Sequence, residues 1–313
     1  MRKTSAALAC LSIALVALTG CSVSASASFD GQACDRSSST SGIDEAVTVS
    51  GDFGVSPDVE VFTPLSAEET SYTDLIEGEG TPLTSARQLT VVDIALYNGA
   101  TGDQIVATEF DGDLSRMSNI DSWAQQIPGI GMVLECATPG TRMLAAITPE
   151  DFGESALSGF SLDEDTTVVA VIDVLDTKLA RATGSLQFND ARGMPTVVRA
   201  SDGRPGVIIP DSGAPAEQAE QMLIKGEGEE VTEDVTVWVD YTAVAWDTKD
   251  VTSTTWDSNP VTTLADTAPS VAEALVGQTV GSQLLVVVPG TDGAAATVYV
   301  VDILGTTPVA TGE

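Results

Sequence analysis

The C-terminal part of the chain contains segments with the hydrophobic pattern of a β-strand and one segment with that of a helix. Residues 235–243 read VTVWVDYTA, and this alternation of apolar and polar positions predicts a half-buried β-strand. Residues 269–280 suit one short helix, which a turn at Gly281 ends. The mostly apolar runs at 284–288 and 297–304 predict two further strands. Together these elements predict a small α+β unit in which a sheet packs on one helix.

The same order of segments occurs earlier in the chain. The segments that correspond include LIEGEG (75–80) with LIKGEG (223–228), LTVVDIALYNG (89–99) with VTVWVDYTAVA (235–245), FDG (110–112) with WDS (256–258), LECATPGTRMLAAITP (134–149) with LVGQTVGSQLLVVVP (275–289), and VVAVIDVL (168–175) with VYVVDIL (298–304). A repeat of this length predicts two tandem units. We assign residues 45–178 to the first unit, residues 185–305 to the second and residues 306–313 to a tail.

The order of the motifs resembles that of the FKBP-type peptidyl-prolyl cis-trans isomerases. In the second unit the resemblance rests on LIKGEG, on Tyr241 within VDYT, on the pair Trp256-Asp257, and on ALVGQTVG, VVVP and VYVVDIL. It implies two tandem, degenerate FKBP-like domains, each an antiparallel sheet wrapped around a short helix. It also implies prolyl isomerisation of polypeptides. That reaction crosses a rotational barrier of about 18–20 kcal/mol without making or breaking a bond, so we expect neither a cofactor nor a metal.

The resemblance implies a catalytic pocket in the second unit, formed by Tyr241, Trp256, Asp257, Val271 and Tyr299. Tyr241 would be a wall with a hydrogen-bonding hydroxyl, and Trp256 stands at the family's Phe, beside the pocket carboxylate Asp257. Tyr299 takes the position of the floor Phe, whereas Val271 replaces the family's usual Trp. The alternative is that the three aromatic side chains only pack in the core and that Asp257 is a turn residue.

A second candidate pocket in the first unit would contain Phe110, Asp111, Ile130 and Phe152. Phe110 and Asp111 match the family's Phe-Asp pair, and Phe152 lies in a longer flap, where it stands for the flap Tyr. Ile130 occupies the Trp position, and the Tyr position reads Ile94. Each unit therefore carries a different part of the family's pocket.

The first residues predict export and anchoring. Arg2 and Lys3 precede an apolar stretch, residues 6–18, that is too short for an ordinary spanning helix. The sequence Leu-Thr-Gly-Cys at 18–21 resembles a bacterial lipobox, which implies a signal peptide at 1–21 and a lipid on Cys21. We expect a flexible tether at 22–44 and a protein held on the extracytoplasmic face of a bacterial cell membrane. An ordinary secretory signal is the alternative.

Two cysteines remain after Cys10 and Cys21 are assigned to the signal peptide and the lipid. Outside the reducing cytosol, Cys34 and Cys136 can form a disulfide that joins the end of the tether to the first unit. The alternative is two free thiols.

Composition excludes several classes of function. The chain has 46 acidic and 13 basic residues and a net charge of −33, so we expect no nucleic-acid partner. It has no histidine, which removes Ser-His-Asp and Cys-His catalysis and the usual zinc motifs. Short acidic runs leave calcium as a minor alternative, although no DxDxDG loop is present.

The sequence thus predicts a monomeric, membrane-anchored isomerase or folding helper for proline-containing exported polypeptides. The second hypothesis is a catalytically weak FKBP-like module that binds chains at the cell envelope without useful turnover. The third is a structural spacer on the cell surface.

Overall fold

The computed structural model describes residues 27–36, 42–188, 191–260, 264–291 and 294–308. Among the described residues β-strand is the commonest regular structure, and the helices are short. The strands are β1 Ser28–Phe29, β2 Gln32–Ala33, β3 Val47–Ser50, β4 Asp58–Val61, β5 Ser71–Ile76, β6 Leu89–Asn98, β7 Gln104–Ala107, β8 Ser118–Asn119, β9 Arg142–Ile147, β10 Val168–Thr177, β11 Ser185–Leu186, β12 Thr196–Arg199, β13 Pro205–Ile208, β14 Ala219–Lys225, β15 Val235–Ala245, β16 Val251–Thr254, β17 Gln283–Val288 and β18 Thr297–Pro308. The helices are a 3-10 turn at Ile43–Glu45 and α1 Ile120–Gln126, α2 Pro128–Leu134, α3 Pro149–Phe152, α4 Glu154–Gly159, α5 Leu264–Thr267 and α6 Pro269–Leu275.

Two six-stranded antiparallel sheets dominate the molecule. The N-terminal sheet has the order β5-β9-β10-β6-β7, with β8 also paired to β6. The C-terminal sheet has the order β11-β14-β17-β18-β15-β16. In both sheets the last long strand, β10 or β18, returns to the centre and pairs with the first long strand, β6 or β15. The central strands are therefore hydrogen-bonded on both edges, and their side chains are largely buried.

Each sheet buries apolar side chains on both faces because successive residues of a strand point to opposite sides. One face of the N-terminal sheet packs on α2, where Ile94, Ile130 and Ile172 belong to one cluster. The opposite face packs under the hairpin β3–β4, and there Tyr97 and Val171 belong to a second cluster. We call these the helix face and the hairpin face.

The C-terminal sheet has the same two faces. Val271 and Leu275 of α6 pack with Val301 on its helix face. The hairpin β12–β13 covers the other face, which contains Trp246 and Val298. Both strands that lead the prediction are present, and the mixed, sheet-rich class agrees with the expected α+β architecture.

The predicted helix of the second unit is shorter than its segment. Helix α6 begins at Pro269, where a missing N–H costs no hydrogen bond, and ends at Leu275. Val276 is already extended, with ψ of 133°, and Gly277 has φ of +79°, which an L side chain rarely adopts. Gly281, predicted as a turn, also has a positive φ of +90°.

Part of the region predicted as a flexible tether is folded. Residues 27–36 form the small hairpin β1–β2, and Phe29 is buried against the helix-face cluster of the N-terminal sheet. Arg36 donates to both carboxylate oxygens of Asp74 at 2.6 and 2.8 Å. Cys34 is joined to Cys136 by a disulfide whose Cα atoms are 5.4 Å apart. Arg36 also donates to the carbonyls of Val133 and Glu135 at 2.8 and 2.7 Å, so this largely polar segment is attached to the N-terminal sheet and to the end of α2.

Several predicted features lie outside the described residues. These are the signal peptide 1–21 with its lipidation site Cys21, part of the tether and most of the tail.

Candidate functional site

Tyr241 and Tyr299 meet on the helix face of the C-terminal sheet. Strands β15 and β18 pair so that Ala243 lies opposite Tyr299 and Tyr241 opposite Val301, which makes the two tyrosines diagonal neighbours on one face. Their ring centroids are 6.3 Å apart and the rings are tilted by 42°. Both side chains are half-buried, and burial raises the pKa of Tyr299 above its usual value, with a further contribution from Tyr241. The Tyr241 hydroxyl is 3.0 Å from the Ser253 hydroxyl.

Val271 belongs to the same apolar cluster as the two tyrosines. Apolar residues at 271, 274 and 275 give α6 one buried stripe, and this stripe faces the sheet. Val271 itself is fully buried. Three of the five residues predicted for this pocket are therefore brought together, and their surroundings are apolar.

An open hollow of about 360 Å³ lies beside this cluster. Apolar side chains such as Val239 and Leu275 line part of it, and the polar Thr232 and Glu233 line another part. None of the five predicted site residues lines it. The hollow places open space next to the strand that carries Tyr241.

Among the described residues, Trp256 does not belong to the apolar cluster that contains Tyr241, Val271 and Tyr299. Only 4% of the Trp256 surface is exposed, and its Nε1–H is buried without a hydrogen-bond partner among the described residues. The ring packs against the loop between β12 and β13, where a Cβ on Gly203 would come within 3.3 Å of the ring. Trp256 thus packs against that loop and does not belong to the apolar cluster of the two tyrosines.

Asp257 also binds elsewhere. Its side chain is 66% exposed and accepts a hydrogen bond of 2.6 Å from Nη2 of Arg204, which also donates to the carbonyl of Trp256 at 2.9 Å. The hydrogen bond to Asp257 raises the pKa of Arg204. The five predicted residues therefore form two groups, one on the helix face and one beside the loop at Gly203.

The main chain still connects the two groups. The Thr255 amide donates to the Tyr241 carbonyl at 3.0 Å, and the Tyr241 amide donates to the Thr255 hydroxyl at 2.9 Å. The Ser258 amide closes a turn onto the Thr255 carbonyl at 2.9 Å. We call residues 255–258 the rim segment, since they directly follow β16 and since Thr255 is hydrogen-bonded to the strand that carries Tyr241.

The second candidate pocket is not assembled in the N-terminal sheet. Ile130 and Phe152 belong to the helix-face cluster, whereas Phe110 packs against the hairpin-face cluster. Asp111 is exposed and paired with Arg116, and hydrogen bonding to the backbone of Asp113 lowers its pKa. Phe110 has a positive φ of +50°, so the chain turns at this residue. The sheet therefore separates Phe110 from Ile130 and Phe152, and the four residues do not line one space.

Two buried acids on the hairpin face were missing from the predicted site. Asp240 and Asp302 lie opposite each other on β15 and β18. Burial raises the pKa of Asp302 from 3.8 to about 6, although it accepts hydrogen bonds from the Ala182 amide at 2.8 Å and from Gln283 Nε2 at 2.6 Å. The available signal was an Asp in the middle of each long apolar strand, in both copies of the repeat.

Within the described ranges, no group of three or more acidic or cysteine side chains is arranged to hold a metal ion. In the same ranges, no helix has the length and apolar character needed to cross a membrane.

Comparison with known proteins gives a structural likeness without a sequence match. No family model matches the chain, and no curated protein matches it. Solved structures with FKBP domains are among its neighbours. The three FKBP domains of wheat FKBP73 match with 13% identity and a TM-score of 0.34, over 76% of this chain and 94% of that chain.

Two bacterial structures give similar values. A peptidyl-prolyl cis-trans isomerase of Pseudomonas syringae pv. tomato has 18% identity and a TM-score of 0.30, over 36% of this chain and 77% of that chain. FkpA of Escherichia coli has 21% identity and a TM-score of 0.26, over 38% of this chain and 54% of that chain. With identities and TM-scores this low, any function of this chain has to be argued from the geometry of its own site.

Proposed function

We propose that this protein is an FKBP-like peptidyl-prolyl cis-trans isomerase with two tandem domains, residues 45–178 and 185–305. The working site would lie in the second domain. The observation that carries the proposal is the half-buried pair Tyr241 and Tyr299, which share an apolar cluster with Val271 of α6.

Such a site suits rotation about a prolyl amide. The planar amide is stabilised by charge-separated resonance, which water solvates well, and the twisted amide has lost that charge separation. An apolar surface therefore binds the twisted form better than either planar form, and this difference lowers the barrier. The hydroxyl of Tyr241, which is partly exposed, can orient the substrate carbonyl by donating one hydrogen bond.

The strand order supports a duplication of one domain. In both sheets a leading strand pairs with the strand before the last, which pairs with the last strand, which in turn pairs with the first long strand. Asp93 lies opposite Asp173 in the first sheet as Asp240 lies opposite Asp302 in the second. In the first domain, however, the sheet separates Phe110 from Ile130 and Phe152.

We also propose that the protein acts outside the cytoplasm, anchored to the cell membrane by lipid on Cys21, on proline-containing exported polypeptides. The disulfide between Cys34 and Cys136 supports an oxidising compartment. Fractionation of cells that express Cys21→Ser tests the anchor. The variant should leave the membrane fraction, and its full recovery there would contradict the proposal.

The second candidate function is a binding module without useful turnover. The observation that favours it is the position of Trp256 and Asp257, which pack against the Gly203 loop and Arg204 instead of the tyrosine pair. A site without that aromatic wall and that carboxylate could hold a proline-containing chain without stabilising the twisted amide.

Refolding of a proline-limited client in the presence of the full chain separates the two functions. We expect faster refolding, and we expect about a tenfold loss of that acceleration in Tyr241→Ala and in Tyr299→Ala. Asp111→Asn, in the first domain, is the matched control and should keep the acceleration. Suppressed client aggregation without faster refolding would establish the binding module instead.

A further inference from the structure

One arginine of the N-terminal half reaches into the C-terminal half. Arg87 lies just before β6, yet its Nε donates to the Ser258 carbonyl at 2.8 Å and its Nη2 donates to the Thr255 carbonyl at 2.9 Å. The same Nη2 is 3.0 Å from Oδ1 of Asp240. The guanidinium carbon lies 5.6 Å from the centroid of the Trp256 ring, within the range of a cation–π contact.

Arg87 compensates the charge of a buried carboxylate in the other half of the chain. The Asp240 side chain is fully buried, and a buried carboxylate is costly unless a cation and hydrogen bonds compensate it. From its own half of the chain Asp240 accepts a hydrogen bond of 2.7 Å from the Thr255 hydroxyl, which carries no charge. The ion pair that the structure shows for Asp240 is with Arg87, from the other half of the chain.

All three acceptors of Arg87 adjoin Tyr241. Asp240 precedes Tyr241 in β15, and Thr255 and Ser258 belong to the rim segment that is hydrogen-bonded to the Tyr241 main chain. A guanidinium holds several acceptors at once because its N–H groups diverge from one rigid plane. Arg87 therefore fixes both the buried acid beside Tyr241 and the turn at 255–258.

A second side chain of the N-terminal half, Asn119, contacts the C-terminal half next to Arg87. Asn119 caps helix α1 by accepting from the Ser122 amide at 2.8 Å, and its Nδ2 donates to Oδ1 of Asn259 at 2.7 Å. Asn259 directly follows the rim segment. Two side chains from the N-terminal half thus hold consecutive parts of the chain that runs past Tyr241.

We propose that Arg87 is a positioning residue for the candidate site of the C-terminal domain, which is therefore complete only when the N-terminal domain is docked against it. The activity part of this inference rests on the proposed isomerase function. The placement part stands on the contacts of Arg87 alone.

Hydrogen exchange of the full chain tests the placement. In Arg87→Ala the amides of the rim segment should exchange about tenfold faster, while those of β17, residues 283–288, should change little. Arg87→Lys keeps the charge, but its one nitrogen cannot occupy the positions of both Nε and Nη2, so its exchange should lie between that of wild type and that of Arg87→Ala. Arg192→Ala removes an exposed arginine and should match wild type.

Two results would overturn the inference. One is unchanged exchange at the rim segment in Arg87→Ala, and the other is a uniform increase across both sheets, which would indicate a general loss of stability. Refolding assays on the same variants add the activity: where wild type accelerates refolding, Arg87→Ala should lose about tenfold in kcat/KM. If wild type shows no acceleration, the isomerase proposal fails while the exchange experiment still decides the placement.

Discussion

The two sheets place a pair of aspartates at the same point and stabilise them differently. Asp93 and Asp173 face each other across β6 and β10, as Asp240 and Asp302 do across β15 and β18. Next to Asp173 the adjoining strand β9 supplies Arg142, which donates to both of its carboxylate oxygens at 2.6 and 2.7 Å.

At the equivalent position of β17 the C-terminal sheet has Gln283, which donates an uncharged hydrogen bond to Asp302. Behind it, Arg199 binds the side-chain oxygen of Gln283. The second acid of this sheet, Asp240, is paired with Arg87 of the other half. In the N-terminal sheet the cation beside the acid pair, Arg142, belongs to a strand of the sheet itself. In the C-terminal sheet the nearby cations come from outside it: Arg199 from the hairpin β12–β13 and Arg87 from the other half of the chain.

Among substitutions that test this difference between the two acid pairs, we expect the largest loss of stability from Arg142→Ala. Arg142 is 2% exposed and Asp173 is fully buried, so Arg142→Ala leaves a buried carboxylate without its cation. We expect the free energy of unfolding, measured by chemical denaturation, to fall by about 3–5 kcal/mol. Arg142 also donates to the carbonyls of Gly51 and Val55, so the loop between β3 and β4 should loosen as well.

Arg199→Ala, in the hairpin β12–β13 that covers the C-terminal sheet, is the matched control. Arg199 contacts Gln283 and not a carboxylate, so its removal should cost about 1 kcal/mol. Equal losses in the two variants would show that the two acid pairs do not differ in the way their contacts indicate.

The next effect is a dependence of stability on pH that comes from Asp302. Its pKa rises from 3.8 to about 6 in the folded protein because burial disfavours the charged form, and Asp240 adds to the rise. Between these two pH values the folded state binds more protons than the unfolded state, so stability decreases as pH rises. The contribution of Asp302 to the free energy of unfolding is therefore complete below pH 3.8 and is lost above about pH 6.

Asp302→Asn removes the ionisable carboxyl group, so the stability of the variant should depend less on pH than that of wild type. The free energy of unfolding of the variant, relative to wild type, should increase by about 2–3 kcal/mol as the pH passes from 4 to 7. Denaturation curves at a series of pH values measure it, and Asp247→Asn, an exposed acid, is the control. A constant difference between variant and wild type over that range would contradict the assignment.

The strand elements of the second unit could be predicted because hydrophobic periodicity decides them. The alternation at 235–243 and the apolar runs at 284–288 and 297–304 correspond to β15, β17 and β18 within a few residues. Tyr241 and Tyr299 share a face because both positions follow the period of two along paired strands. The repeat also indicated which segments of the two halves correspond.

The rim segment could not be predicted in the same way. Trp256 and Asp257 follow β16, where no period fixes the direction of a side chain, and long-range partners decide it: Gly203 for the ring, and Arg204 for the carboxylate. Arg87 gave no local signal, since the acid it pairs with lies 153 residues away. Phe29 was missed because a single aromatic residue in a polar segment produces no pattern.

The smallest expected effect concerns the exposed pair Arg204 and Asp257, which contrasts with the buried pair of Arg87 and Asp240. Asp257 is 66% exposed and Arg204 is 42% exposed, so water and salt screen their attraction. Asp257→Asn should therefore change the free energy of unfolding by about 0.5 kcal/mol or less, and the change should shrink further at high salt. Because the carboxylate binds Arg204 rather than facing the tyrosine pair, the acceleration of refolding should also survive. Loss of that acceleration in Asp257→Asn, with stability unchanged, would instead restore the role that the sequence predicted for this carboxylate and would mean that it leaves Arg204 when a substrate binds.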